Sequence, residues 1–144
     1  CALGKRGIDK KKREGDLITP KGSFKMKYVL FRKDRVKKLK TKLKKIVIQK
    51  NMGWCNDIRS VNYNKLIRKP FNYTYEELFK KNNTYDVVIV LNYNMNPVVK
   101  NKGSAIFIHV AKKNYKKTEG CIALKKKDLI KVLADVKTST KVKI

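Results

Sequence analysis

The chain has 144 residues, 42% of them hydrophobic, and carries 38 Lys and Arg against 11 Asp and Glu, a formal net charge of +27 at pH 7. That length suits one domain over residues 1–144 that buries roughly two-thirds of its unfolded surface, and no apolar stretch approaches the ~20 residues of a membrane-spanning helix. The charge favours any polyanion through counterion release, nucleic acid and anionic cell-wall polymers alike. Six of the basic residues are arginine and the other 32 lysine, scattered along the chain, which describes a solvated face better than the arginine forks of specific nucleic-acid readout.

In chain order, the first recognisable feature is REGDLITPKGSF, Arg13 to Phe24. Pro20 and Gly22 suit a tight turn there, and Phe24 enters a strand over 24–31. Residues 34–45 are lysine-rich, with Val36, Leu39 and Leu43 at helical spacing; a helix and an irregular excursion fit equally. IVIQ at 46–49 reads as a short strand. From Asn51 to Tyr75 the mixture of Asn, Gly, Pro and aromatics predicts a long functional loop. Tyr75 to Lys81 predicts a short helix, with Thr74 and Glu77 as a capping box.

Asp86 to Tyr93, DVVIVLNY, is the most apolar strand, and 94–103 turns into a strand over 104–111. CIAL, from Cys121 to Leu124, makes the next strand. Residues 126–136 form a helix with Leu129, Ile130, Leu133 and Val136 on one face, and 141–144 add an edge strand. The sum is a mainly β domain with one or two helices and no internal repeat.

The segment Gly103 to Leu124, GSAIFIHVAKKNYKKTEGCIAL, concentrates the chemistry. His109 is the only histidine of the chain, and Cys121 directly follows a glycine. Were the two apolar runs neighbouring strands, an imidazole would come close to a thiol. A free thiol, with a pKa near ~8.5, needs such a base to become a nucleophile at neutral pH. The plainer reading makes His109 a packed core residue and Cys121 a small buried hydrophobe. Alternation puts Ala105, Phe107, His109 and Ala111 on one strand face and Ile106, Ile108 and Val110 on the other. The backbone N–H groups of Gly120 and Cys121 are the natural oxyanion hole, since glycine permits the close approach of such a turn. With no CxxC and a single histidine, no metal site is expected. Cys1 and Cys55 either pair or remain free thiols.

GSAIFIH followed by TEGCIALKKKDL resembles the active-site segment of the YkuD-type L,D-transpeptidase family, and REGDLITPKGSF resembles that family's Gly-Asp-x-x-Thr-Pro-x-Gly-x-Phe stretch. GWCNDI, VNYNKLI and YDVVIVLNYNMNPVV look like one branch of it, so the resemblance runs from Cys1 to about Leu133. It implies a curved β-sandwich catalytic domain, Cys121 as nucleophile, His109 as general base, and the backbone carbonyl of Val110 as the group that fixes the imidazole tautomer. The implied substrate is a peptidoglycan stem tetrapeptide and the implied product a 3→3 cross-link, with no cofactor, in the cell envelope. Hydrolysis of the thioester, giving a carboxypeptidase or amidase, and a basic polyanion-binding module are the rivals.

Many members carry a His-Gly-Cys triplet with an arginine two residues past the cysteine; this chain has Glu119, Gly120, Cys121 and then Ala123. Thr118, Glu119, Trp54, Tyr63, Asn64, Tyr93 and Asn94 are candidate substrate contacts, with packing and turn-making as the alternative for the aromatic and amide residues. CALGKRGI resembles the interior of a first strand in this branch, so a preceding segment is expected; a lipid-modified Cys1 is the other reading.

Overall fold

A computed structural model describes residues 1–144. In chain order the strands are β1 (Ile8–Asp9), β2 (Thr19–Pro20), β3 (Ser23–Phe31), β4 (Lys44–Val47), β5 (Met52–Cys55), β6 (Leu66–Arg68), β7 (Tyr75–Glu77), β8 (Val87–Leu91), β9 (Phe107–Val110), β10 (Ile122–Leu124) and β11 (Lys141–Lys143). One α-helix, α1 (Lys126–Asp135), lies between β10 and β11. No helix is long and apolar enough to cross a membrane.

The central sheet runs β10-β9-β8-β3, with β11 pairing the first half of β3 and β4 its second half. β8 is antiparallel to both β3 and β9. All five residues of β8 have zero exposure, because both faces of the sheet are covered. An unbroken VVIVL run is what such a strand requires. One face holds Val87, Ile89 and Leu91 against Leu129, Leu133 and Val136 of the helical segment. The other holds Val88, Val90 and Phe107 against Met52, Trp54, Leu78 and Tyr85. The mainly β architecture with one α-helix, layered around a central sheet, is the one expected.

Of the two readings open for the lysine-rich stretch 34–45 the irregular one holds, and two local expectations are corrected. The lysine-rich stretch 34–45 is not helical: after a single turn in which Val36 N–H bonds the Arg32 carbonyl, the chain runs irregularly until β4. Val36, Leu39 and Leu43 are nonetheless buried; a run of lysines would repel itself on a helix surface, and a loop seats the same three side chains. The stretch 51–75 is not one loop, because β5 and β6 within it pair with β7 as a second, antiparallel sheet. The expected helix at 75–81 is instead β7 followed by a turn. Glu77 pairs opposite Gly53 in the sheet, and Thr74 donates to the Asn56 side chain rather than capping. A Cβ on Gly53 would meet the Tyr75 ring at 2.6 Å, so the glycine lets these strands close. Cys1 and Cys55 are not paired: both thiols are free, one exposed and the other buried.

Candidate active site

β9 and β10 are neighbours, but parallel, with Ile122 opposite Ile108 and Ala123 opposite His109. Parallel strands need a crossover rather than a hairpin. The intervening 111–121 segment makes one, with a short 3₁₀ turn at Lys113–Tyr115. This register places Cys121 beside the start of β9. Its sulfur accepts from the Phe107 N–H at 3.4 Å and donates to the Ala105 carbonyl at 3.1 Å. His109 lies two residues further along, on the same strand face as Phe107, and both His109 and Cys121 line one cavity of about 750 Å³. The two side chains share no hydrogen bond; the thiol proton goes to Ala105.

The imidazole is oriented by its own strand. His109 Nδ1 lies 3.0 Å from the Val110 carbonyl, and a carbonyl only accepts, so Nδ1 carries the proton and Nε2 is left bare. The His109 and Tyr85 rings stand in a T-shaped pair at a centroid distance of 5.5 Å. Tyr85 in turn donates to Glu76 at 3.1 Å, and Lys80 pairs with the same carboxylate at 2.5 Å. Burial pushes the His109 pKa below its usual value; the Val110 bond opposes that, and Lys112 and Lys80 reinforce it. Burial also pushes the Cys121 thiol up to about 12, against the opposing Phe107 N–H. The resting pair at neutral pH is therefore thiol and neutral imidazole.

The turn that carries the cysteine is held from three directions. Thr118 Oγ1 donates to the Cys121 carbonyl at 2.6 Å and accepts from the Gly120 N–H at 3.2 Å. Thr19 Oγ1 reaches the same Cys121 carbonyl at 3.5 Å while accepting from Gly4 N–H at 2.8 Å. Residues Ala2 and Leu3 then lie along the turn, Ala2 and Ala123 exchanging two backbone bonds at 2.8 Å each. Gly120 has φ +139, and a Cβ there would stand 2.9 Å from the Ile18 carbonyl; no other residue fits. The REGDLITP and TEGC stretches, a hundred residues apart in sequence, thus meet at one peptide.

Thr118, Glu119 and Gly120 line the cavity with Cys121 and His109. Trp54, Tyr63, Asn64, Tyr93 and Asn94 are not among its lining residues, and their side chains have structural partners. Trp54 is packed edge-on against Phe107 at 5.0 Å and donates to Asn64 Oδ1 at 3.0 Å. Asn64 also accepts from Ala105 N–H at 3.1 Å and donates to the Tyr93 and Asn94 carbonyls. Tyr63 donates to Glu14 and accepts from Gly103 N–H. Tyr93 packs on Phe24, and the Asn94 side chain ties together the 94–103 turn. They stand behind the site rather than in it.

Sequence reasoning missed Lys11, Ser104, Tyr85, Glu76 and Lys80, all of which line the cavity. Ser104 was inside a quoted motif without a role, and Lys11 was hidden in a run of three lysines that differ only in burial. Four of the other lining residues are the lysines Lys5, Lys112, Lys116 and Lys117, so the mouth is strongly cationic. No group of three or more His, Cys, Asp or Glu side chains is placed to hold a metal ion.

A layered β domain with a cysteine and an oriented histidine on one cavity wall has the form of an acyl-transfer enzyme. The whole chain, residues 1–144, matches the family model of the YkuD L,D-transpeptidase catalytic domain. The protein belongs to that family, which makes it an enzyme of the L,D-transpeptidase kind with peptidoglycan as its substrate. Neither the curated proteins nor the solved structures contain a significant match to it.

Proposed function

We propose that Cys121 is the nucleophile of a transpeptidation that joins two peptidoglycan stems by a 3→3 cross-link in the cell envelope. The observation that carries this reading is the cavity shared by Cys121 and a His109 whose Nδ1–H is committed to the Val110 carbonyl. That bond leaves Nε2 as the one ring atom able to take a proton. It does for this imidazole what a carboxylate does in a serine triad.

The thiol proton first exchanges the Ala105 carbonyl for His109 Nε2, a change of acceptor that a rotation between staggered side-chain wells provides. The sulfur then bonds to the carbonyl carbon of the third stem residue, a diamino acid, and the carbonyl oxygen becomes an oxyanion. Its donors are the N–H of Cys121, which no protein group accepts, and the N–H of Gly120, which bonds only the Thr118 hydroxyl at 3.2 Å. Collapse breaks the C–N bond to the terminal D-alanine, whose nitrogen takes the proton from His109. In the second half, the acceptor stem's amine gives a proton to His109, bonds to the thioester carbon and expels the Cys121 sulfur, which is reprotonated.

Incubation of the protein with a stem tetrapeptide tests the reading, with products resolved by mass. A dimer joined through two third residues supports it. Accumulation of tripeptide without dimer makes water the acceptor and the protein a carboxypeptidase.

A further inference from the structure

We propose that Lys11 and Ser104 form a carboxylate-binding subsite in the inner wall of the cavity, which selects acyl donors ending in a free carboxylate beyond the scissile bond. The inference deepens the transpeptidase reading and rests on it for the identity of the donor.

Lys11 differs from the other lysines of the cavity in being buried: its side chain is 3% exposed. The sequence makes room for it on purpose-shaped backbone. A Cβ on Gly103 would stand 2.3 Å from Lys11 Cε, and a Cβ on Gly120 would lie 3.6 Å from Lys11 Nζ. The side chain therefore threads between the two ends of the histidine–cysteine segment, and its ammonium ends beside the turn that carries Cys121. An ammonium has three donors. Asp16 Oδ1 takes one at 2.5 Å and the Ile18 carbonyl a second at 3.4 Å, which leaves the third without a protein acceptor.

Asp16 pairs with Lys11 and fixes where its ammonium sits. Its carboxylate also accepts the N–H groups of Lys12, Arg13 and Ile18, at 2.7, 3.2 and 3.1 Å. The turn holds the lysine in position in the cavity lining, with one donor lacking a protein acceptor.

Ser104 is the second element. It is 6% exposed, it lines the same cavity, and its hydroxyl makes no hydrogen bond of normal geometry, although the Tyr63 hydroxyl stands beside it. The neighbouring Tyr63 hydroxyl is already committed, donating to Glu14 and accepting from Gly103 N–H. A buried hydroxyl without a partner is destabilising, and such a group is placed to be satisfied by a ligand. The remaining ammonium donor of Lys11 and the hydroxyl of Ser104, both buried in the lining of one cavity, suit the two oxygens of a carboxylate, whereas a carboxamide would turn its NH₂ toward a donor. The exposed lysines at the mouth are screened by salt in a way that this pair is not.

Binding is measured on the Cys121→Ala protein, which does not turn over, by calorimetry with a stem tetrapeptide bearing a free C-terminal carboxylate and with its C-terminal amide. The acid should bind at least about tenfold tighter, the equivalent of one charge-assisted hydrogen bond. Ser104→Ala and Lys11→Met, each added to that background, should bring the acid down to the affinity of the amide. Because the Ser104 hydroxyl makes no hydrogen bond of normal geometry in the free protein, Ser104→Ala should leave the melting temperature unchanged or higher, so it carries the test even where Lys11→Met fails to fold. Equal affinity of acid and amide in the parent overturns the proposal, as does an equal loss of both ligands in Ser104→Ala. Failure of the transpeptidase reading shows separately, as wild-type protein that never acylates, and does not alter the binding comparison.

Discussion

Asn64 Oδ1 accepts the N–H of Ala105 at 3.1 Å, and the carbonyl of Ala105 accepts the thiol of Cys121 at 3.1 Å. A side chain of the turn between β5 and β6 is in this way two hydrogen bonds from the nucleophile. Ala105 has φ +53 and Asn64 φ +57, backbone conformations that a non-glycine residue keeps only where its surroundings impose them. The buried amide imposes the first through its four hydrogen bonds and tolerates the second as asparagine does.

Asn64→Ala removes the partner of Trp54 Nε1, of Ala105 N–H and of the Tyr93 and Asn94 carbonyls. Each buried group left unpaired costs about 1–3 kcal/mol, with partial rescue by water. The variant should lose about 2–4 kcal/mol in urea unfolding. Its folded fraction should acylate more slowly than wild type, since the Ala105 carbonyl no longer has a fixed position. Wild-type stability would show that the amide bridges nothing of consequence.

The thiol is held protonated by its surroundings, and the sign of its pH response follows. Burial raises the Cys121 pKa to about 12, so between the ordinary thiol range and that value the folded protein binds the proton that the unfolded chain releases. Stability from this group is complete below pH ~8.5 and falls as the pH rises toward 12. In a Cys1→Ser protein, alkylation of Cys121 by iodoacetamide, followed by peptide mass, should be slow at pH 7 and still be climbing well past pH ~9. A plateau near pH ~8.5 would mean an ordinary exposed thiol.

Asp16→Asn keeps the shape of the carboxylate and removes its charge. Burial disfavours that charge, but Lys11 and the backbone N–H groups of Lys12, Ile18 and Arg13 outweigh it and hold the Asp16 pKa at about 2. A lone buried Lys11 should cost about 3–5 kcal/mol, read as a shift of the urea midpoint. For the native protein the stability from Asp16 is present at neutral pH and is lost as the pH falls from about 4 toward 2. A neutral effect of Asp16→Asn would show that the ion pair is dispensable.

His109→Gln, close in volume to the original, should fold and lose about 10²–10⁴ in acylation rate, the usual worth of a general base. Far-ultraviolet circular dichroism and the acylation rate, measured on one preparation, decide it. Unfolding without loss of specific rate in the native fraction would return His109 to the role of a core residue.

Much of this was legible in the chain and some of it was not, for identifiable reasons. The VVIVL run and the helix at 126–136 announced themselves because burial on both faces and on one face leave different periodicities. The alternation around His109 correctly put Phe107 and His109 on the face that Cys121 meets. The region 51–77 was misread because its strands are only three or four residues long, too short for a period of two to register among Asn, Gly and aromatics. Trp54, Tyr63 and Asn64 were drawn toward the cleft by their chemistry, whereas the fold uses that chemistry to fasten the 94–105 segment from behind. Lys11 had no signal at all: nothing local distinguishes it from Lys10 and Lys12, and only the glycines at 103 and 120 make the space it fills.

The central claim is that Cys121 is the acyl acceptor, and intact-mass spectrometry after incubation with a carbapenem tests it most directly. The account predicts that wild-type protein gains the mass of one carbapenem, mapped to the peptide containing Cys121, and that Cys121→Ser gains none. Unmodified wild-type protein, or equal labelling of both proteins, would contradict it.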